Sequence, residues 1–103
     1  MVSIFESLQI KAPFLKALND EKYETPTPIQ KKCIPKVLDG FDILGIAQTG
    51  TGKTAAFSIP ILQLLNASQP ENKRRSTRAL FLAPTRELAI QIGSSVRLYG
   101  KYI

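Results

Sequence analysis

The amino-acid sequence predicts an α/β fold in the order helix, helix, strand, helix, strand, helix, with parallel strands flanked by helices. Two observations carry this reading. Residues 43–47 and 78–83 are short apolar runs without polar alternation, as in strands buried on both faces. Each run leads within a few residues into a helical pattern, so strands and helices alternate as in units with a parallel sheet.

The elements follow in order. A first short helix is expected over 13–20, where Phe14, Leu15 and Leu18 share one side. The second is announced by Thr27, Pro28 and Gln30: Thr suits the N-cap, Pro the first helical position, and Gln three residues after Thr completes a capping box. Pro35 lies deep in this segment, and an interior Pro costs about 3 kcal/mol. A break near Cys33–Ile34 and an end at Asp39-Gly40 are therefore expected. The run Ile43, Leu44, Gly45, Ile46, Ala47 passes through a Gly-rich turn into a third helix beginning near Lys53. Residues 66–77 are polar and basic and read as a loop. The run Arg78 to Ala83 is the second strand, and Pro84 and Thr85 open a last helix with Leu88, Ile92 and Val96 spaced i, i+4, i+8.

Composition removes several classes of chemistry. At 103 residues the chain is one domain or part of one, and 44% apolar content fits a globular fold. The absence of His excludes His bases, His triads and His metal sites. A single Cys excludes an internal disulfide and a Cys-cluster zinc site, and points to a reducing compartment. Cys33 shares a helical face with Ile29 and Val37, so it reads as a packed thiol. The N-terminus lacks the pattern of a secretion signal, and the longest apolar stretch, 55–65, is broken by Ser58, Pro60 and Gln63. A membrane span needs about 20 residues. The expected location is the cytoplasm, with no membrane partner.

Charge is uneven along the chain. Residues 1–51 hold six Lys and six acids, whereas 52–103 hold eight basic residues against Glu71 and Glu87. The net charge of +6 thus belongs to the second half and suggests a polyanionic partner, nucleic acid or nucleotide.

The sharpest motif is Ala47-Gln48-Thr49-Gly50-Thr51-Gly52-Lys53-Thr54, which has the ending of a phosphate-binding loop, with Ala47 in place of the usual first Gly. Gly50 and Gly52 allow the backbone to turn and bring N–H groups close to phosphate oxygens. The helix N-terminus adds free donors and a positive partial charge. Lys53 is suited to span the β- and γ-phosphates, and the Thr54 hydroxyl to ligate Mg²⁺.

Residues 47–54 resemble motif I of the DEAD-box RNA helicases, which use Ala at that first position. The stretch Tyr23-Glu24-Thr25-Pro26-Thr27-Pro28-Ile29-Gln30 resembles their Q motif (22–30), and Phe5 matches an isolated upstream aromatic. Pro84-Thr85-Arg86-Glu87-Leu88-Ala89 resembles motif Ia (84–89). Three motifs in the family's order span nearly the whole chain, with most similarity to the bacterial RhlE-like group. Lys22 departs from the pattern, because the Q motif usually opens with Gly there.

The resemblance implies a truncated RecA-like P-loop domain, the N-terminal half of the first domain of an ATP-dependent RNA helicase. It also implies ATP and Mg²⁺ as cofactors and RNA as partner. Gln30 would hydrogen-bond the adenine edge, helped by a backbone group near Tyr23 and by Thr25, and Phe5 would stack on the base. Residues 47–54 would hold the phosphates. Pro84, Thr85 and Arg86 would contact the RNA backbone without regard to sequence. Glu87 would repel phosphate and is expected to serve as a salt-bridge partner. The cluster Lys73, Arg74, Arg75 with Arg78 matches no family motif and reads as a solvated loop.

Hydrolysis needs a carboxylate at the end of an apolar strand to hold Mg²⁺, and none of the eight acids stands there. The 103 residues alone are therefore expected to bind rather than turn over. Unpaired strand edges would expose N–H and C=O groups, and a homo-oligomer formed through them is the expected consequence. Two other readings stay open: another P-loop NTPase, or a non-catalytic nucleotide- or RNA-binding module.

Overall fold

In the computed structural model, the described residues are 4–48, 50, 52–68 and 76–103. They form an N-terminal 3-10 turn (Ile4–Leu8), α1 (Ala12–Asp20), α2 (Pro28–Leu38), α3 (Lys53–Ala67) and α4 (Arg86–Tyr99). The helices arise where their caps and apolar spacing place them. Pro28 opens α2 and Thr85 caps α4, its hydroxyl accepting from Leu88 N at 3.2 Å. Gly40, at φ +89, lies just past the end of α2, where a left-handed residue closes a helix well.

One expectation is corrected at α2. The helix runs through Pro35 without a break. Asp39 N donates to Pro35 O and Gly40 N to Val37 O, each at 3.0 Å, so the turn after the proline is made. Pro35 forfeits one N–H bond, and α2 is held meanwhile by its extensive packing on α3, with Ile34 fully buried. Tertiary burial outweighs the local penalty.

The sheet is the second correction. Residues 43–47 and 78–83 are neither helical nor paired, and among the described residues there is no β-ladder. In the first run residues 43–46 are all exposed, Leu44 and Ile46 at 88% and 85%, and Ala47 is half-buried. In the second, Leu80 and Leu82 face outward, whereas Phe81 turns in to meet Phe57, ring centroids 5.9 Å apart. A strand exists through a neighbour about 4.8 Å away. Neither run has one here, and only 79–83 keeps the period of a strand without the ladder.

The core lies between the helices. Phe5 and Leu8 of the N-terminal turn, Phe14 and Leu18 of α1, Ile34 of α2, Ile59 of α3 and Tyr99 of α4 form one buried cluster. Burial pushes the Tyr99 hydroxyl up to about 12, with Tyr23 and Glu21 adding to the effect. At the surface, Lys101 Nζ lies 3.0 Å from the Asp20 carboxylate and Tyr102 donates to the same oxygen, fastening the segment after α4 to the end of α1. Among the described residues, no helix is long and apolar enough to cross a membrane.

Candidate nucleotide site

The site is built where the N-termini of α2 and α3 meet. Gln30, at the third position of α2, is 7% exposed and uses both ends of its amide. Its Oε1 accepts from Thr27 N at 3.0 Å, which is the glutamine half of a capping box. Its Nε2 donates to Gly52 O at 3.2 Å, across 22 residues of chain. The Thr27 side chain approaches in the same box, yet its buried hydroxyl completes no hydrogen bond. The two segments singled out as Q motif and motif I are thus in direct contact.

The loop ahead of α3 has the conformation that its glycines allow. Gly50 and Gly52 sit at φ +85 and +84, in the left-handed region that other residues enter at a cost of about 1–2 kcal/mol. Space is a second constraint at Gly52. A Cβ there would stand 2.4 Å from Gln30 Nε2 and 3.0 Å from Thr27 Oγ1, so any side chain would push the Gln30 amide away. Gly50 has open space around it.

The N-cap of α3 is Gly52, which has no side chain to cap with. No acidic residue lies in the first turn, while Ala56 N donates to Gly52 O at 3.1 Å. The initial N–H groups that every helix leaves without intrahelical partners remain, with the macrodipole behind them. Lys53 at the first position is exposed and Thr54 half-buried. A helix start of this kind is suited to an anion, polyphosphate included. For a divalent cation the chain offers less. Thr54 supplies one hydroxyl, and no group of three acidic or thiol ligands occurs among the described residues.

The other sequence-derived candidates distribute as follows. Ala47 is half-buried and Gln48 exposed, whereas Thr49 and Thr51 lie outside the described residues. Thr25 is exposed, and Tyr23 is 47% exposed with its N–H committed to Leu18 O at 3.0 Å. Phe5 is 1% exposed in the core, packed with the N-terminal turn, so in this structure its ring presents no face for a base. Pro84, Thr85 and Arg86 are exposed together at the N-terminus of α4. Glu87 occupies the first turn of α4, where its charge complements the dipole, and forms no ion pair among the described residues.

Two roles escaped sequence reasoning. Arg78 is not part of a solvated basic loop. Its guanidinium donates to Leu65 O at 3.3 Å, Ser68 O at 2.5 Å and Ser68 Oγ at 3.1 Å, closing the C-terminus of α3. Lys73, Arg74 and Arg75 lie outside the described residues. The second is Gln63, an apparent interruption of an apolar helix whose amide bonds the chain at Gln9 and Lys11.

A sequence model of the DEAD/DEAH box helicases matches residues 27–103. The chain belongs to this family. It is 54% identical over 99 residues to the ATP-dependent RNA helicase DeaD of Escherichia coli K12, covering 96% of this chain and 15% of that protein. The DeaD protein of Haemophilus influenzae is 47% identical, with 95% and 15% covered. These bacterial relatives bear the DeaD name and not that of the RhlE-like group. Among solved structures, the RNA helicase Prp28 from Chaetomium thermophilum bound to ADP superposes with a TM-score of 0.85 at 40% identity, over 98% of this chain and 24% of that one. A DEAD box protein from Methanococcus jannaschii gives a TM-score of 0.80 at 38% identity, over 93% and 25%. The neighbours are RecA-like helicase domains, and this chain spans about a seventh of the length of its curated relatives.

Proposed function

We propose that these residues bind an adenine nucleotide and RNA as the N-terminal part of the first RecA-like domain of an ATP-dependent DEAD-box RNA helicase. The protein would act in the cytoplasm, and the complete protein would couple ATP hydrolysis to RNA duplex unwinding. The single observation that carries the reading is the contact of Gln30 with Gly52. It joins a residue able to read a base to the loop suited to hold phosphates. The family relationship and the ADP-bound neighbour support it.

In this reading Gly50, Gly52 and the first N–H groups of α3 hold the phosphates, with Ala47, Gln48, Thr49 and Thr51 completing the loop. Lys53 neutralises charge on the terminal phosphates. Gln30 keeps one amide hydrogen and one lone pair beyond its present bonds, enough to meet an adenine edge. Tyr23 and Thr25 flank that edge. Mg²⁺, when bound, offsets phosphate charge; Thr54 supplies it one hydroxyl, and the phosphates and water supply the rest. Pro84, Thr85 and Arg86 meet the RNA backbone. Thr85 still has its O–H to donate, because the cap uses only its oxygen as acceptor.

A second reading suits residues 1–103 taken by themselves: a nucleotide- and RNA-binding module without turnover. None of the eight acids stands at the C-terminal end of 43–47 or 78–83, where a metal-holding carboxylate is needed. Calorimetry with ATP, GTP and Lys53→Ala tests the site. The wild type is expected to prefer ATP. Lys53→Ala should lose about 1.5–3 kcal/mol, roughly 10- to 150-fold in affinity. Equal affinity of the two proteins would show that this loop does not hold the phosphates.

A further inference from the structure

Gln63 stands in the buried face of α3 at 8% exposure, where an apolar side chain would pack at no polar cost. Both ends of its amide instead bond main chain more than 50 residues away in sequence. Oε1 accepts from Lys11 N and Nε2 donates to Gln9 O, both at 2.8 Å. The side chain acts as one rung of a ladder, tying the link between the N-terminal turn and α1 to the helix that begins at Lys53.

That link is under strain. Gln9 holds φ +69, a left-handed conformation in which a Cβ crowds the following carbonyl oxygen. Such conformations persist only where surrounding contacts over-determine them. The bond from Gln63 to the Gln9 carbonyl supplies one, and Gln9 N to Glu6 O at 3.1 Å supplies another. The five-residue turn Ile4–Leu8 is too short to stand alone. It lies against α2 and delivers Phe5 and Leu8 to the cluster that contains Ile34. Ile34 is one helical turn beyond Gln30, on the same face of α2. The seating of the N-terminal turn therefore bears on how closely α2 and Gln30 approach Gly52.

We propose that Gln63 is a positioning residue for the nucleotide loop: by fastening Gln9 and Lys11 to α3, it seats the N-terminal turn beside α2 and keeps Gln30 on Gly52. The inference rests on the nucleotide reading above for its functional consequence and on the hydrogen bonds alone for its mechanics.

The test uses the full chain carrying Gln63→Met, which keeps the length of the side chain and removes both bonds. Leu15→Ala is the control, loosening the core without touching the amide. Without nucleotide, Gln63→Met should speed hydrogen exchange at the Lys11 amide and move the Gln30 side-chain NH₂ resonances toward solvent-like values. ATP affinity should fall about tenfold, the size expected for losing a hydrogen bond of about 1.4 kcal/mol. Leu15→Ala should leave the Gln30 resonances in place and ATP affinity within about twofold. If Gln63→Met does not fold, Gln63→Glu is the second variant: it keeps the acceptor for Lys11 N and sets a carboxylate oxygen against the Gln9 carbonyl. The Lys11 amide should then stay protected while the Gln30 resonances move, and unmoved Gln30 resonances would overturn the proposal. Unmoved Gln30 resonances alongside a freely exchanging Lys11 amide would overturn the proposal. So would an equal loss of affinity in both variants. If the wild type binds no ATP, the nucleotide reading fails, while the Lys11 and Gln30 signals still decide the positioning role.

Discussion

Lys22 opens the segment that leads to Gln30, and it holds φ +61. Its N–H donates to Asn19 O at 2.9 Å, so the turn after α1 depends on this left-handed residue. Where the family pattern has Gly, this chain places a Lys in the left-handed region and bears the steric cost of a Cβ. Lys22→Gly removes about 1–2 kcal/mol of strain and adds about 0.5–1 kcal/mol of chain entropy to be lost on folding. The expected net gain is about 0.5–1 kcal/mol, seen as a higher midpoint in urea with an unchanged slope. An unchanged or lower midpoint would mean that the Lys22 side chain makes a compensating contact. At Gly52 the same backbone requirement is joined by a spatial one, because the Gln30 amide occupies the place of a Cβ.

The two helix starts differ in their own groups. The start of α3 is uncapped and free of acidic residues, whereas α4 starts with a Thr85 cap and the Glu87 carboxylate in its first turn. In the proposed reading the first end receives the nucleotide, whereas the second already carries its own cap and acid and holds Arg86 exposed. Thr85→Ala should cost about 1 kcal/mol of stability through the lost cap. Arg86→Ala should leave stability nearly unchanged and act on RNA. With two or three phosphate contacts, the logarithmic salt slope for single-stranded RNA is expected near −1.4 to −2.1, flattening by about 0.7 in Arg86→Ala. Arg78→Ala is the contrasting variant, because its guanidinium is spent on the C-terminus of α3: it should lower stability and leave the slope alone. Titrating labelled RNA at several salt concentrations separates the two. A flatter slope in Arg78→Ala with none in Arg86→Ala would move the RNA to the other side of the molecule.

At the scale of the molecule, two apolar runs stand uncovered. Leu44, Ile46, Leu80 and Leu82 point outward from two unpaired runs at 76–88% exposure. A hollow of about 370 Å³ lies between α2, α3 and the first run, lined among others by Cys33, Val37, Ile43 and Phe57. Apolar surface of this kind beside unpaired main chain favours association. We expect the 103-residue chain to self-associate through these runs. Its net charge of +6 opposes the contact, so association should strengthen as salt screens the repulsion. Sedimentation velocity over a range of concentrations should show a shift in the wild type and none in Leu44→Lys/Leu82→Lys. A monomeric wild type at every concentration and salt would refute this.

What the sequence determined by itself was local. Thr85 before Arg86, and Pro28 with Gln30 after Thr27, mark helix starts because a cap is a bond between residues three apart, worth about 1 kcal/mol wherever the chain lies. Gly50 and Gly52 announce left-handed turns for an equally local reason. Even the two apolar runs declare themselves as segments that seek burial, although no ladder forms among the described residues. Tertiary structure decided the rest. Pro35 remains inside α2 because packing on α3 outweighs one lost N–H bond. Phe5, Gln63 and Arg78 each took a role their neighbours in sequence do not indicate: core, clamp and helix closure. Gln30 reached Gly52 across 22 residues. Periodicity and composition state what a residue seeks, whereas its partner depends on which surfaces the folded chain brings together, and the energies of those distant contacts appear only once the surfaces meet.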